Sequence, residues 1–360
     1  MRTIGLFFSL ILLLNINVQA SKLNDSAAIN NDTIISIIGV GDIMLGTNFP
    51  SNIYLPPNKD ANALLSNVKQ ELINADLTVG NLEGCFSDTA PLVKRCKDST
   101  KCYAFRMPER YIHPLKDAGF DVLTIANNHS GDFGNLGRNT TVKMLDSVGI
   151  AHAGWIKYPD TVFTKNNIRY GIAAFAPNKG TVSIHDISSA KIRVKNLKQN
   201  SDIVIVTFHG GAEGSKHQHI TKKTEQFYGE NRGNVYKFAR HVIDAGADVV
   251  FGHGPHVSRA IDIYKGRFIA YSLGNFCTYG RFNLRGPNGI APIVKIKVNN
   301  LGEFIDGNII SAEQLGRGGT YIDGDYRAAK IIKSLTESDL PECSLQISNE
   351  GYISNRLANQ

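Results

Sequence analysis

Eight side chains in this sequence are of types that bind divalent metal ions or move protons: Asp42, Glu83, Asn128, His129, His209, Glu213, His253 and His256. They stand at or shortly after the ends of five short apolar runs. Thr33–Val40 leads into Gly41-Asp42, Ala75–Val79 into Gly80-Asn81-Leu82-Glu83, and Phe120–Ala126 into Asn127-Asn128-His129. Asp202–Phe208 leads into His209-Gly210-Gly211, and Ala247–Phe251 into Gly252-His253-Gly254-Pro255-His256. The mixture of carboxylate, amide and imidazole suits one or two divalent transition ions such as Mn, Fe or Zn. A soft thiolate site would need Cys, and a calcium site mostly oxygen. Singly, each residue has a structural use: Asp42 could cap a helix and Asn128 hold a turn. Together they point to a shared site, because four of the ten histidines follow apolar runs and the other six do not. His217 and His219 could form a second metal pair, but an i, i+2 spacing in a polar stretch reads better as a solvated loop.

The elements that must position these residues follow from periodicity. Each apolar run is short and β-branched, as expected of a strand buried on both faces. Between them lie helical patterns: Ala61–Asn74 and Tyr236–Ala245 repeat apolar residues at i, i+3, i+4, and Pro108–Ala118 and Leu136–Val148 do so more weakly. Strands alternating with helices predict an α/β domain with much parallel sheet, with a site at the strand C-terminal ends. From Ala260 onward the runs Ala260–Tyr264, Arg267–Leu273, Ile293–Val298 and Phe304–Ile310 predict hairpins, with turns at Lys265-Gly266 and Gly302. No Pro- or Ser-rich linker interrupts the chain, so one domain is expected over 33–320. A C-terminal extension over 321–360 should carry a short helix near Tyr326–Leu335.

Composition excludes several classes. At 360 residues, 42% hydrophobic and 20% charged, the chain is globular in type and long enough for a sizeable core. Its formal charge of +7 is spread over scattered residues and short pairs such as Lys94-Arg95, without a nucleic-acid-binding stripe. His209-Gly210-Gly211-Ala212 looks like an oxyanion segment of serine hydrolases, but no Gly-x-Ser-x-Gly elbow accompanies it; Tyr271-Ser272-Leu273-Gly274-Asn275 is nearest and has Ala270 two residues before the Ser. The phosphate-cradling Gly-x-x-x-x-Gly-Lys-[Ser/Thr] is also absent.

Residues 1–20 have the parts of a cleaved export signal: Arg2, an apolar run Ile4–Leu14 and the small-residue site Val18-Gln19-Ala20. The run is shorter than the roughly 20 residues that span a bilayer. A periplasmic or extracellular mature chain is therefore expected, in a compartment that permits disulfides. Of the five cysteines, Cys96 and Cys102 share one short polar loop and are the expected pair.

The ordered motifs Gly41-Asp42-Ile43-Met44, Asn81-Leu82-Glu83, Ala126-Asn127-Asn128-His129 with Asp132 and Gly134, His209–Glu213, Gly252–Val257 and Tyr271–Phe276 resemble those of the CapA family of bacterial capsule-synthesis proteins, associated with poly-γ-glutamate. The resemblance implies a fold similar to calcineurin-like metallophosphoesterases, a four-layer αββα sandwich. It implies Asp42, Glu83 and His256 around one metal, and Glu83, Asn128, His209 and His253 around another. His129 would lie near the scissile group, with Glu213 a second candidate for proton traffic. Three positions depart from the phosphoesterase pattern. Met44 stands where a His ligand would be, Glu83 replaces a bridging Asp, and one extra residue separates His253 from His256. Two functions are implied: a metal-dependent hydrolase or transferase acting on an anionic cell-surface polymer or phosphoester, alongside capsule-synthesis membrane proteins, or a non-catalytic polymer-binding assembly factor on the same fold.

Overall fold

The computed structural model describes residues 33–95 and 102–356. The expected export signal and Cys96 lie outside the described residues. Cys102 is disulfide-bonded, while Cys85, Cys277 and Cys343 carry free thiols.

All five apolar runs are strands, Ile34–Met44, Leu77–Leu82, Val122–Thr124, Ile203–His209 and Val249–His253, and they are divided between two sheets. In the first sheet Ile34–Met44 pairs in parallel with Leu77–Leu82, which pairs in parallel with Val122–Thr124. Its other flank is antiparallel, through Ile293–Asn299 and Phe304–Ile310. In the second sheet Ile168–Phe175, Ile203–His209, Val249–His253 and Arg267–Ala270 run parallel, with antiparallel strands Asp160–Lys165 and Ile261–Tyr264 at the edges. The hairpin turn at Lys265-Gly266 has positive φ at both residues, the twist that two-residue hairpins favour.

The sheets pack face to face. Ile35, Ile37, Leu77 and Val79 from the first share one buried cluster with Ile172, Ile205 and Phe251 from the second. At Gly39 a Cβ would come within 2.5 Å of the Phe251 ring, so the absence of a side chain lets the sheets close just below Asp42. The opposite strand faces are apolar as well and are covered by helices. Ile38 and Val40 lie under Leu65, Leu72, Ile112 and Leu145; Val204, Val206 and Val250 lie under the helices Ile187–Asn200 and Val235–Asp244. The result is the four-layer αββα sandwich.

The expected helix over Ala61–Asn74 is instead two short helices, Asn62–Leu65 and Lys69–Ile73. Between them the Ser66 hydroxyl donates to the Ala63 carbonyl, competing with the helical ladder. Leu64, Leu65, Val68 and Leu72 nevertheless keep the buried face. Periodicity does not predict the helix Ile187–Asn200 or the strand pair before it. Beyond residue 320 the chain forms the helix Arg327–Asp339 and the strands Leu345–Ile347 and Tyr352–Asn355, and the latter pairs with Phe304–Ile310 to continue the first sheet. Among the described residues no helix is long and apolar enough to cross a membrane.

Candidate metal centre

The strand ends of both sheets meet at one edge of the sandwich. Asp42 is fully buried. Its backbone N–H donates to the Gly274 carbonyl at 2.9 Å, and a Cβ on the preceding Gly41 would come within 2.1 Å of that same oxygen. Glycine is therefore required for the strand to pass close enough to hold Asp42. Its carboxylate accepts from Asn81 Nδ2 at 2.8 Å, meets His256 Nδ1 at 2.9 Å and lies 3.4 Å from His253 Nδ1. Glu83, also fully buried, places Oε1 3.6 Å from His256 Nε2 and 3.8 Å from His129 Nε2. Asp42, Glu83 and His256 each offer a ligand atom within 4.8 Å of the others.

His209 and His253 are the last residues of adjacent parallel strands and face each other in register. The His209 ring centroid lies 6.1 Å from that of His256. Both carboxylate oxygens of Glu83, both ring nitrogens of His209 and of His253, and Asn128 Oδ1 are buried without a hydrogen-bond partner. Burial without a partner is costly for polar atoms, and such a convergence of lone-pair donors is what a divalent ion would satisfy. The donor set, two carboxylates, an amide and imidazoles, suits Mn, Fe or Zn.

Charge is distributed accordingly. Burial alone would raise the Asp42 carboxyl, but its contacts with His253 and His256 outweigh this and hold it well below the usual carboxylate range. Burial pushes Glu83 well above its ordinary value, only partly offset by His256. For His256 burial acts downward, and the two carboxylates overcome it, raising the imidazole to about 10. An imidazolium thus lies between Asp42 and Glu83, where positive charge is wanted. His256 reaches that place from a left-handed backbone, φ 57°, with its carbonyl accepting from Asn275 Nδ2 at 3.3 Å and Asn288 Nδ2 at 3.2 Å. Burial, followed by the nearby Arg232 charge, pushes His209 well down.

His129 stands at the rim of this group. Its Nδ1 is 2.7 Å from Asp132 Oδ2, a carboxylate that also accepts the Phe105 N–H at 3.1 Å and has Lys94 Nζ 3.2 Å from its other oxygen. The Phe105 ring covers the imidazole at 4.1 Å. With Nδ1–H donated to Asp132, Nε2 is the free lone pair and points towards Glu83. Burial lowers the His129 pKa more than Asp132 raises it, so the ring is neutral at rest.

Met44 does not face the metal group. A register shift between Asp42 and Ile43 breaks the period-two alternation, and Met44 packs with Ile43 in the apolar cluster under the helices. Glu213 pairs with Arg232, its Oε1 3.0 Å from Nη2. His219 pairs with Asp339 at 2.7 Å on the surface and His217 supplies a carbonyl to Arg259, consistent with a polar loop. The sequence alone assigns no role to Asp132, Asn288 or Arg232. Asp132 has a signal, its i+3 spacing from His129; Arg232 has none.

Two stacked mixed sheets flanked by helices, with carboxylates and imidazoles at adjoining strand ends, define an αββα protein with a candidate metal centre. The chain belongs to the family described as bacterial capsule synthesis protein PGA_cap, whose sequence model matches residues 36–279. It is 29% identical over 262 residues to the PGA biosynthesis protein CapA of Bacillus subtilis (strain 168), covering 68% of this chain and 64% of that protein. It is 28% identical over 260 residues to the capsule biosynthesis protein CapA of Bacillus anthracis, covering 66% of this chain and 58% of that one. The matches thus span under two thirds of those relatives' own lengths. Among solved structures it is similar to a hypothetical protein from Thermus thermophilus, with 14% identity, a TM-score of 0.46, and coverage of 78% of this chain and 100% of that one. A putative 5′-nucleotidase from Staphylococcus aureus is similar at 12% identity and a TM-score of 0.40, over 85% of this chain and 58% of that one.

Proposed function

We propose that this chain is an exported, metal-dependent hydrolase or transferase that acts during assembly or release of an anionic cell-surface polymer, cleaving or transferring a phosphoester or γ-glutamyl-type bond. The observation that carries the reading is the convergence of buried, unpartnered donors from Glu83, Asn128, His209 and His253 beside the Asp42–His256 pair. Asp42, Glu83 and His256 would hold one ion; His209, His253 and Asn128 complete the donor set and would hold a second with Glu83. Bound there, a divalent ion supplies Lewis acidity to the substrate oxygen and lowers the pKa of water.

The rest of the chemistry belongs to side chains. His129 enters neutral, with Asp132 fixing its tautomer and balancing the charge it gains when Nε2 takes a proton from the attacking water or acceptor hydroxyl. From that atom it hands the proton to the leaving oxygen of a phosphoester or the leaving nitrogen of a γ-glutamyl amide. Phe105 keeps water off the outer face of the ring. The partners proposed are the anionic polymer or phosphoester and capsule-synthesis membrane proteins; no nucleic acid is expected.

A second reading is a non-catalytic factor that binds polymer on the same fold, favoured by the turn of Met44 away from the site, which leaves one ligand fewer. The test is metal content by plasma mass spectrometry of the mature protein and of His253→Ala, followed by a screen against phosphoesters and γ-glutamyl polymer. One or two equivalents lost in the variant, with metal-dependent turnover in the parent, supports the enzyme. Retained metal with no turnover on either substrate class favours the binding factor, and absence of metal after loading with Mn, Zn and Fe overturns the metal centre.

A further inference from the structure

Two arginines with almost no exposed side chain flank the loop that follows His209, and they differ in how they are satisfied. Arg259 is accounted for on every side: Nε donates to the His217 carbonyl at 2.9 Å, Nη1 to Glu225 at 2.9 Å, and Nη2 to Glu225 at 2.8 Å and the Ala212 carbonyl at 3.2 Å. This is a structural ion pair. Arg232 is held by a single side-chain hydrogen bond, from Nε to the Gly211 carbonyl at 3.1 Å, and its backbone carbonyl accepts the Gly211 N–H at 2.9 Å. Its Nη2 is buried and has no aligned hydrogen-bond acceptor. What lies near the guanidinium is carboxylate: Glu213 Oε1 3.0 Å from Nη2, and Glu230 Oε2 3.7 Å from Nη1. The Glu213 side chain is 21% exposed and that of Glu230 63% exposed, so both can move into solvent. Leaving a guanidinium donor buried and unaligned is costly. Arg232 is tethered two residues beyond His209, its charge bears on His209 and Glu83, and that of Glu213 reaches Glu83, His129 and His256. The pair therefore lies beside the candidate metal centre.

We propose that Arg232 is the residue that recognises an oxyanion of the substrate, a carboxylate or phosphate, and that Glu213 is an internal placeholder which leaves the guanidinium when that group arrives. A planar fork held at Nε presents its outer nitrogens to two oxygens of one anion, the arrangement that carboxylates and phosphates share. The inference deepens the reading of an anionic substrate and rests on it. It assigns Glu213 to specificity, and leaves the proton traffic to His129.

The test uses the mature chain, both metal-loaded and chelator-stripped, titrated calorimetrically with inorganic phosphate and with γ-glutamylglutamate. These two probes distinguish a phosphate from a carboxylate source. Glu213→Gln removes the placeholder charge, and is expected to tighten binding of at least one probe about fivefold or more in the stripped protein. Arg232→Gln is expected to weaken the same probe about tenfold or more, and Arg232→Lys to recover part of the loss. Metal content should be the same in all of them.

Binding of both probes unchanged in Glu213→Gln overturns the proposal even where Arg232→Gln does not fold. So does binding to the metal-loaded protein that is independent of Arg232, and so does the absence of binding to the parent at millimolar probe. Arg232-dependent binding in a protein that takes no metal would keep this inference and sink the metal-dependent enzyme. Metal-dependent turnover with Arg232-independent anion binding would do the reverse.

Discussion

Each ligand-type residue at the candidate centre is made effective by a neighbour of plain function. His129 depends on Asp132, which fixes its tautomer at 2.7 Å. Asp132→Asn keeps the shape but replaces the acceptor's charge, so metal-dependent turnover is expected to fall about 10²-fold or more while metal content stays at the parent level. Equal loss of metal would show Asp132 to be merely structural. The buried, unpartnered nitrogens of His253 also set a ranking: His253→Ala should lose metal and His217→Ala, altered in a surface loop, should not, as read by plasma mass spectrometry. His256 gives a sign. In the metal-free protein Glu83 and Asp42 hold its pKa at about 10, above that of a free imidazole, so at pH 7.5 it carries a proton that a metal must displace. Metal binding should release about one proton near neutral pH, and affinity should rise with pH until His256 deprotonates. Calorimetry in buffers of different ionisation enthalpy measures this, and no proton uptake by the buffer would remove His256 from the ligand set. The residues of the candidate centre are legible in the sequence because each stands at or shortly after a strand end, where polar side chains are otherwise unneeded. Arg232 is not: Glu230-Asn231-Arg232-Gly233 reads as a polar hairpin, and only the tuck of that hairpin against Gly211 buries the guanidinium.

At the scale of elements, the site is built from close backbone approaches that composition does not reveal. The first strand passes Gly274 so tightly that Gly41→Ala drives a Cβ to 2.1 Å from a carbonyl oxygen, and neither partner is a side chain that can turn aside. The expected loss is about 2–4 kcal/mol in urea unfolding. Gly149→Ala, with positive φ but nothing within 4 Å, should cost only about 1 kcal/mol. Equal costs would mean that the strand yields at Gly274 without penalty, so that the close approach does not set the demand for glycine. The five site strands are predicted by their β-branched runs, since burial on both faces leaves little else. Two features around them are not. The register shift after Asp42 turns Met44 out of the site, although an unbroken strand would put it on the same face as Asp42. The helix Ile187–Asn200 escapes because its buried residues, Ala190, Val194 and Leu197, are few and set among Lys, Asn and Ser. A narrow stripe against the second sheet is enough to hold it, but carries little periodic signal.

At the scale of the molecule, the site belongs to neither sheet. Asp42 and Glu83 come from the first, His209 and His253 from the second, and His256 from the loop that joins Val249–His253 to Ile261–Tyr264 of the second. An ion held by this set would tie the two sheets together at their open edge, while Gly39 against Phe251 and the apolar cluster between them join the layers beneath. Because the unfolded chain scatters these residues over more than two hundred positions, an ion held by them would bind the folded state and stabilise it by mass action. At a free metal concentration about a hundredfold above Kd the gain is about 2.7 kcal/mol. For a chain of this size that corresponds to a rise in melting temperature on the order of 4 °C. Calorimetric scans of metal-loaded and chelator-treated protein should therefore show a single transition moved to higher temperature by Mn, Zn or Fe. His253→Ala should melt near the chelated parent and respond to none of them. A parent whose melting point is the same with and without metal would mean that the buried donors hold no ion, and that the sheets are joined by apolar packing alone.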